Sequence, residues 1–198
     1  HWATGACMVV RAADYRAAGG LDGRFFAHNE EIDLCWRLRI MGKRIMCLPA
    51  SRVYHLGGGT LPQGNPRKTY LNFRNNLTML YKNLPDGSLR SVMWTRALLD
   101  IVAVAQAIAK GNTADAKAIL KARRDFRQWK DNFKPDRMNI QHSRTLSPTA
   151  DLAPLSLLWQ LFALGKKTWD KLPTVITLFL LVITATRSLA ADDKTRGI

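Results

Sequence analysis

The chain has 198 residues, 47% of them hydrophobic, which excludes a wholly disordered protein and bounds it to one ordinary domain or a small domain with an appendage. Its 30 Lys/Arg against 15 Asp/Glu give a formal charge of +15, so its partner is expected to be anionic: nucleic acid, a phospholipid surface or a phosphorylated substrate. Three cysteines (Cys7, Cys35 and Cys47), odd in number and without a CxxC pair, argue against a disulfide framework or a zinc site and for buried free thiols in a reducing compartment.

The chain opens on "HWATGACMVV" without Met or a signal peptide, and reads as the continuation of something longer. "ACMVVR" (6–11) is a short apolar run expected to form a buried strand, and "AADYRAAGG" a short helix ended by Gly19 and Gly20. "LDGRFFAH" is a loop. A helix is expected from Asn29 as N-cap, with Leu34, Leu38 and Met41 as its apolar stripe and Gly42 as its stop. "KRIMCLP" and "SRVYHL" read as two further short strands, and "GGGTLPQGNP" as a loop.

After Pro66 the pattern turns helical. "RKTYLNFRNNLTMLYKNL" places Tyr70, Phe73, Leu77 and Leu80 at helical spacing. "SLRSVMWTRALLDIVAVAQAIAKG" is a second helix, nearly apolar from Ala97 to Ala109, and "TADAKAILKARRDFRQWKDNF" a third, basic and amphipathic. Residues 110–144 carry ten Lys/Arg against four Asp. The tail holds "LSLLWQLFALGKKTWDKLP", whose tryptophans and lysines suit either a membrane interface or core packing. It also holds "TVITLFLLVITA", too short to span a bilayer alone. The chain thus divides into 1–84 (α/β), 85–145 (helical and basic) and 146–198 (amphipathic and apolar).

Glu30 and Glu31 are the only glutamates, and Asp33 stands two places on. Acidic residues in a first helical turn are favoured by the macrodipole, which is one sufficient reason for them. Their aromatic neighbours Phe25, Phe26 and Trp36 give another: a partly desolvated carboxylate has a raised pKa and is a better base. His28 precedes the acids, and His55 ends a strand before three glycines, a position suited to a metal or to acid–base work. Arg67, Lys68 and Arg74 at a helix start fit either a pyrophosphate clamp or a solvated basic face.

The ordered series "TGACMVVR", "GGLDGRFF", "EEIDLCWRL", "GKRI" and "VYHLGGGT", continuing through "RKTYLNFRNNLTMLYKNLP" to about Asp131, is similar to the second half of a family 2 glycosyltransferase catalytic domain. The likeness is to the inverting GT-A type, nearest the rhamnosyltransferase-like members that build bacterial surface polysaccharides. It implies an α/β fold, the C-terminal half of a GT-A domain followed by a basic helical extension. It implies Glu31 as the base that deprotonates an acceptor hydroxyl, with Glu30 and Asp33 positioning the site or binding the acceptor. It implies His55 at a metal or diphosphate, Arg67, Lys68 and Arg74 on the leaving nucleoside diphosphate, and Trp2, Gly5 and Trp36 at sugar. Implied partners are a nucleoside-diphosphate sugar, a glycan or lipid-linked acceptor and an anionic membrane on the cytoplasmic side, with Mg2+ or Mn2+ as cofactor. No nucleic-acid-binding motif is present. The family's Asp-x-Asp metal motif does not occur in the sequence, so the cofactor is expected to be held mostly by a donor half, and the chain is not expected to transfer sugar unaided. The alternative is a basic peripheral membrane-binding or catalytically inactive protein.

Overall fold

The computed structural model describes residues 2–55 and 64–146. The apolar and lysine–tryptophan tail and most of the glycine loop lie outside the described residues. Among the described residues, six α-helices carry the fold: α1 (Ala12–Ala17), α2 (Glu30–Ile40), α3 (Pro66–Asn83), α4 (Asp86–Ala109), α5 (Thr113–Trp129) and α6 (Lys134–His142), with short 3-10 turns at Gly23–Phe25 and Lys130–Phe133.

The expected α/β architecture does not form: among the described residues there are helices and no strand. Residues 6–11, 43–49 and 51–55, expected as strands, run without ladder partners, and Val9, Met46, Leu48, Val53 and Tyr54 project outward. A strand is stable only when a neighbour takes up its N–H and C=O groups, and among the described residues no second segment offers them. An apolar run is therefore insufficient to make a strand. The cysteines are corrected with it: Cys35 is buried, while Cys7 and Cys47, on two of these segments, are exposed.

The helices obey local chemistry closely. Gly42 takes φ +77° just past α2, its N–H bonding Arg39 O at 2.8 Å while Lys43 N–H bonds Leu38 O at 2.9 Å; together these close the helix end. At α3, the Asn65 side chain accepts from Arg67 N–H at 2.9 Å ahead of Pro66. At α5, Asn112 Oδ1 accepts from Asp115 N–H at 3.0 Å, and Asn112 Nδ2 returns a bond to Asp115 Oδ2 at 2.7 Å. The Asn29 side chain does not cap α2, although Asn29 sits at that position with φ +71°.

Residues 2–145 form one compact unit, so helices α4 to α6 belong to the same body as α2 and α3. Helix α3 is the central element, packed on α5, α6 and α2, and α4 packs mainly on α5. The interior holds Phe25, Leu34, Trp36, Ile40, Leu77, Met79, Leu84 and Phe133, all nearly or fully buried. A side cluster gathers Ala18, Leu34 and Leu38, with Met8, Val10 and Tyr15 against it.

Candidate active site

The loop leading into α2 is held in an unfavourable shape. Phe26, His28 and Asn29 have φ of 67°, 71° and 71°, a region that side-chain-bearing residues rarely adopt. Such strain persists only where the surroundings impose it. Here α3 imposes it: Asn75 Nδ2 reaches the carbonyl oxygens of Phe25 (2.9 Å), Ala27 (2.8 Å) and His28 (2.8 Å). Arg74 Nη2 donates to the carbonyls of Arg24 (3.3 Å) and Phe25 (3.2 Å), and its guanidinium lies 4.2 Å over the Trp129 ring. Asn29 Nδ2 donates to Asn72 O at 3.4 Å. The clamp fixes where the next two residues, Glu30 and Glu31, begin their helix.

The three carboxylates of the acidic stretch have separate fates. Asp33 is fully buried and saturated. It accepts from Arg37 Nε (2.9 Å) and Nη2 (2.8 Å), Lys82 Nζ (2.9 Å) and Asn83 Nδ2 (2.7 Å), and Lys82 also pairs with Asp22 at 2.8 Å. Arg37 donates onward to the carbonyls of Ala18 and Gly20. This network ties α2 to α3 and to the end of α1, and with Asp33 fully buried it leaves no oxygen of that carboxylate open to a substrate.

Glu30 and Glu31 are the reverse. Each has a buried Oε2 without a hydrogen-bond partner. Burial pushes the Glu31 carboxyl above its ordinary value; the backbone N–H groups of Glu31, Gly5 and Ile32 pull the other way, and the charge of Glu30 adds to the rise. Gly5 lies against this side chain, close enough that a Cβ placed there would stand 3.9 Å from Glu31 Cβ. His28 Nε2 and Asn29 Oδ1 are likewise buried and unpartnered. Burial holds His28 below its usual pKa, with the charge of nearby Lys68 adding to the effect. Residues 28–31 therefore present several buried acceptor atoms in want of donors. A polyhydroxylated ligand supplies donors of that kind.

The remaining sequence candidates are scattered. Lys68 is partly buried beside His28, and Arg67 is exposed, its guanidinium 5.1 Å from the Phe26 ring centroid. Arg74 is spent on the loop clamp. Trp36 is 2% exposed and packed inside, so its ring does not face a sugar. Trp2 stays at the surface. His55 is exposed at the edge of the described residues, and among those residues no group of three or more His, Cys, Asp or Glu could hold a metal ion. The described residues thus build no cation site of their own, and the implied cation was expected mostly on a donor half. A shallow pocket of about 310 Å3 on the α3–α5 face is lined by Tyr70, Arg74, Asp125, Gln128 and Trp129.

Sequence reasoning named the acids and missed their supports: Asn75, Lys82 and Asn83 on α3, and the engagement of Arg37. The readable signal was polarity at buried helical positions. Asn75, Asn76, Thr78, Lys82 and Asn83 lie buried on α3 beside its apolar stripe.

No family model matches the chain, and no solved structure matches it. Over 54 residues, 27% of the chain, it is 39% identical to the rhamnosyltransferase WbbL of Escherichia coli (strain K12), of which the match covers 20%. Over 54 residues it is 35% identical to the N-acetylglucosaminyl-diphospho-decaprenol L-rhamnosyltransferase of Mycobacterium tuberculosis (strain CDC 1551 / Oshkosh), covering 18% of that protein. The match spans about a fifth of the length of these relatives, and supports a glycosyltransferase-like relationship at that coarse level.

Proposed function

We propose that this chain carries the acceptor side of an inverting glycosyltransferase of the family 2 kind, with Glu31 as its base. The supporting observation is the desolvated Glu31 carboxyl, one oxygen of which has no partner, held at the start of α2 by a strained and clamped loop. In the reaction, the Glu31 carboxylate takes the proton of an acceptor hydroxyl. The oxygen attacks the anomeric carbon of a nucleoside-diphosphate sugar from the face opposite the leaving group. The bond from carbon to phosphate oxygen breaks, and the nucleoside diphosphate departs with the electron pair, inverting the configuration. Glu30, Asn29 and neutral His28 accept hydrogen bonds from the acceptor's other hydroxyls. Lys68 and Arg67, a short way off on α3, steady the diphosphate. Arg74 and Asp33 act only by positioning.

We read the donor sugar as rhamnose, after the names of both relatives, and the acceptor as a diphospholipid-linked sugar, after the name of the second; with such an acceptor the protein would work at a membrane, in our reading at its cytoplasmic face. No step in this scheme runs through a metal. The test is Glu31→Gln, introduced into the gene in the cells that make the protein, with membranes assayed for transfer of labelled rhamnose to lipid-linked acceptor. A loss of about 100-fold or more is expected. Transfer at the wild-type rate would remove Glu31 from the base role.

A further inference from the structure

Helix α4 is built inside out. Its buried residues are Arg96, Asp100 and Ala107, while Trp94, Leu98, Ile101, Val102 and Ile108 are each more than half exposed. The inward charges are paired: Arg96 Nη2 meets Asp100 at 2.8 Å, Arg123 of α5 bonds Asp100, and the Arg96 guanidinium sits 4.9 Å over the Phe73 ring of α3. The outward residues fall three, four and seven positions apart (94, 98, 101 and 102, 108), so they form one stripe along the side away from α5. An exposed apolar stripe of that length marks a surface that meets a partner or a membrane.

We infer that α4 is the membrane-docking element of this protein, lying in the plane of an anionic bilayer with its stripe set among the acyl chains just below the headgroups. By length and composition the 24-residue helix could cross a bilayer. Crossing would strip the Arg96–Asp100 pair from Arg123 and place it in hydrocarbon, whereas lying flat keeps the pair and covers the stripe. The charge around the stripe selects the lipid. Arg90 is exposed one turn before Trp94 on the same face, Lys110 is exposed at the other end, and the adjoining α5 adds exposed Lys117 and Arg124. The one acid exposed on α4, Asp86, is engaged by Arg137. Joining two copies through this face would bring like charges together, in chains of formal charge +15 each. Anionic headgroups instead neutralise them. This surface rests on the membrane part of the proposed function, and owes nothing to the chemistry of Glu31.

The test uses the full chain with Cys7→Ser and Cys47→Ser, leaving buried Cys35, and an environment-sensitive fluorophore on Ile101→Cys. Vesicles of phosphatidylcholine with phosphatidylglycerol are expected to shift the probe's emission to the blue and to sediment the protein, with sedimentation falling as salt rises. Leu98→Asp combined with Ile101→Asp is expected to weaken vesicle partition about tenfold or more, with the helical circular dichroism unchanged. Three results would overturn the assignment: no sedimentation, sedimentation with the probe unshifted, or a probe already shifted without lipid in a protein that sediments as a dimer. Glu31→Gln is expected to leave partition untouched, so loss of docking and loss of transfer are read apart.

Discussion

Removing Asp33 tests the division of labour among the three acids at the start of α2. Asp33→Ala deletes the acceptor of three hydrogen bonds, from Arg37, Lys82 and Asn83, together with the Arg37 Nη2 ion pair, and takes the shared anion from two buried cations. Breaking a buried ion pair on one side costs about 3–5 kcal/mol. The lower end applies here. Lys82 keeps Asp22 at 2.8 Å, and Arg37 keeps its carbonyl partners, Gly20 O at 2.7 Å among them. About 3 kcal/mol is expected by urea denaturation, or a Tm drop of about 10 °C. Asp33→Asn should cost nearly as much, because its amide would turn a donor toward Arg37 and Lys82. The Asp33/Lys82 double-mutant cycle should show a coupling of about 1 kcal/mol or more. A cost below about 0.5 kcal/mol for Asp33→Asn would refute the reasoning, since that is what an idle surface substitution does.

Glu31→Gln should stabilise the protein as it disables it. A carboxyl whose folded pKa lies above its unfolded value of 4.5 costs stability progressively as pH rises through that interval. The variant should therefore melt higher at neutral pH, by about 1 kcal/mol, with the gap closing at and below pH 4.5. In rate measurements the acid limb should lie above 4.5 for the same reason. Asp22 behaves oppositely: burial raises its pKa, but bonds from Arg24 and Lys82 outweigh this and hold it well below the usual carboxylate range. The stability it gives is present above 3.8 and drains as pH falls below that value, so Asp22→Asn should flatten the acid side of the urea-midpoint profile. Asn75→Ala, which frees the loop carbonyls of Phe25, Ala27 and His28, should lower kcat about tenfold or more through misplacement of Glu31; an unchanged kcat would separate the clamp from the chemistry. Gly20→Ala places a Cβ 2.9 Å from Tyr15 Cε1 at φ +64°, and should cost about 1–3 kcal/mol in chemical denaturation.

The helices were legible because their signals are local. Pro66 at a helix start, Gly42 past a helix end, and the 3.6-residue recurrence of Phe73, Leu77 and Leu80 each act within one or two turns. Helix α6 went unread, since Lys134–His142 has little apolar stripe and holds by Arg137, which reaches the carbonyls of Tyr81 and Leu84. The strands were misread because a strand is a property of two segments, and a sequence shows only one. Within the site, the acids at 30, 31 and 33 look alike on paper. What separates Asp33 from its neighbours is Lys82 and Asn83, about fifty positions away, brought to it by α3. The inverted polarity of α4 was hidden similarly: its apolar composition reads as a core helix until α5 claims the charged side.

The last residue of the compact unit is fastened to the first long helix. Thr145 N–H donates to Ile40 O at 2.9 Å, its hydroxyl does so at 3.2 Å, and a Cβ on Gly42 would stand 3.0 Å from Thr145 Oγ1. Ile40 ends the helix that begins at Glu30. A pull on the chain beyond residue 145 is therefore borne first by the far end of the rod whose near end holds the acid pair.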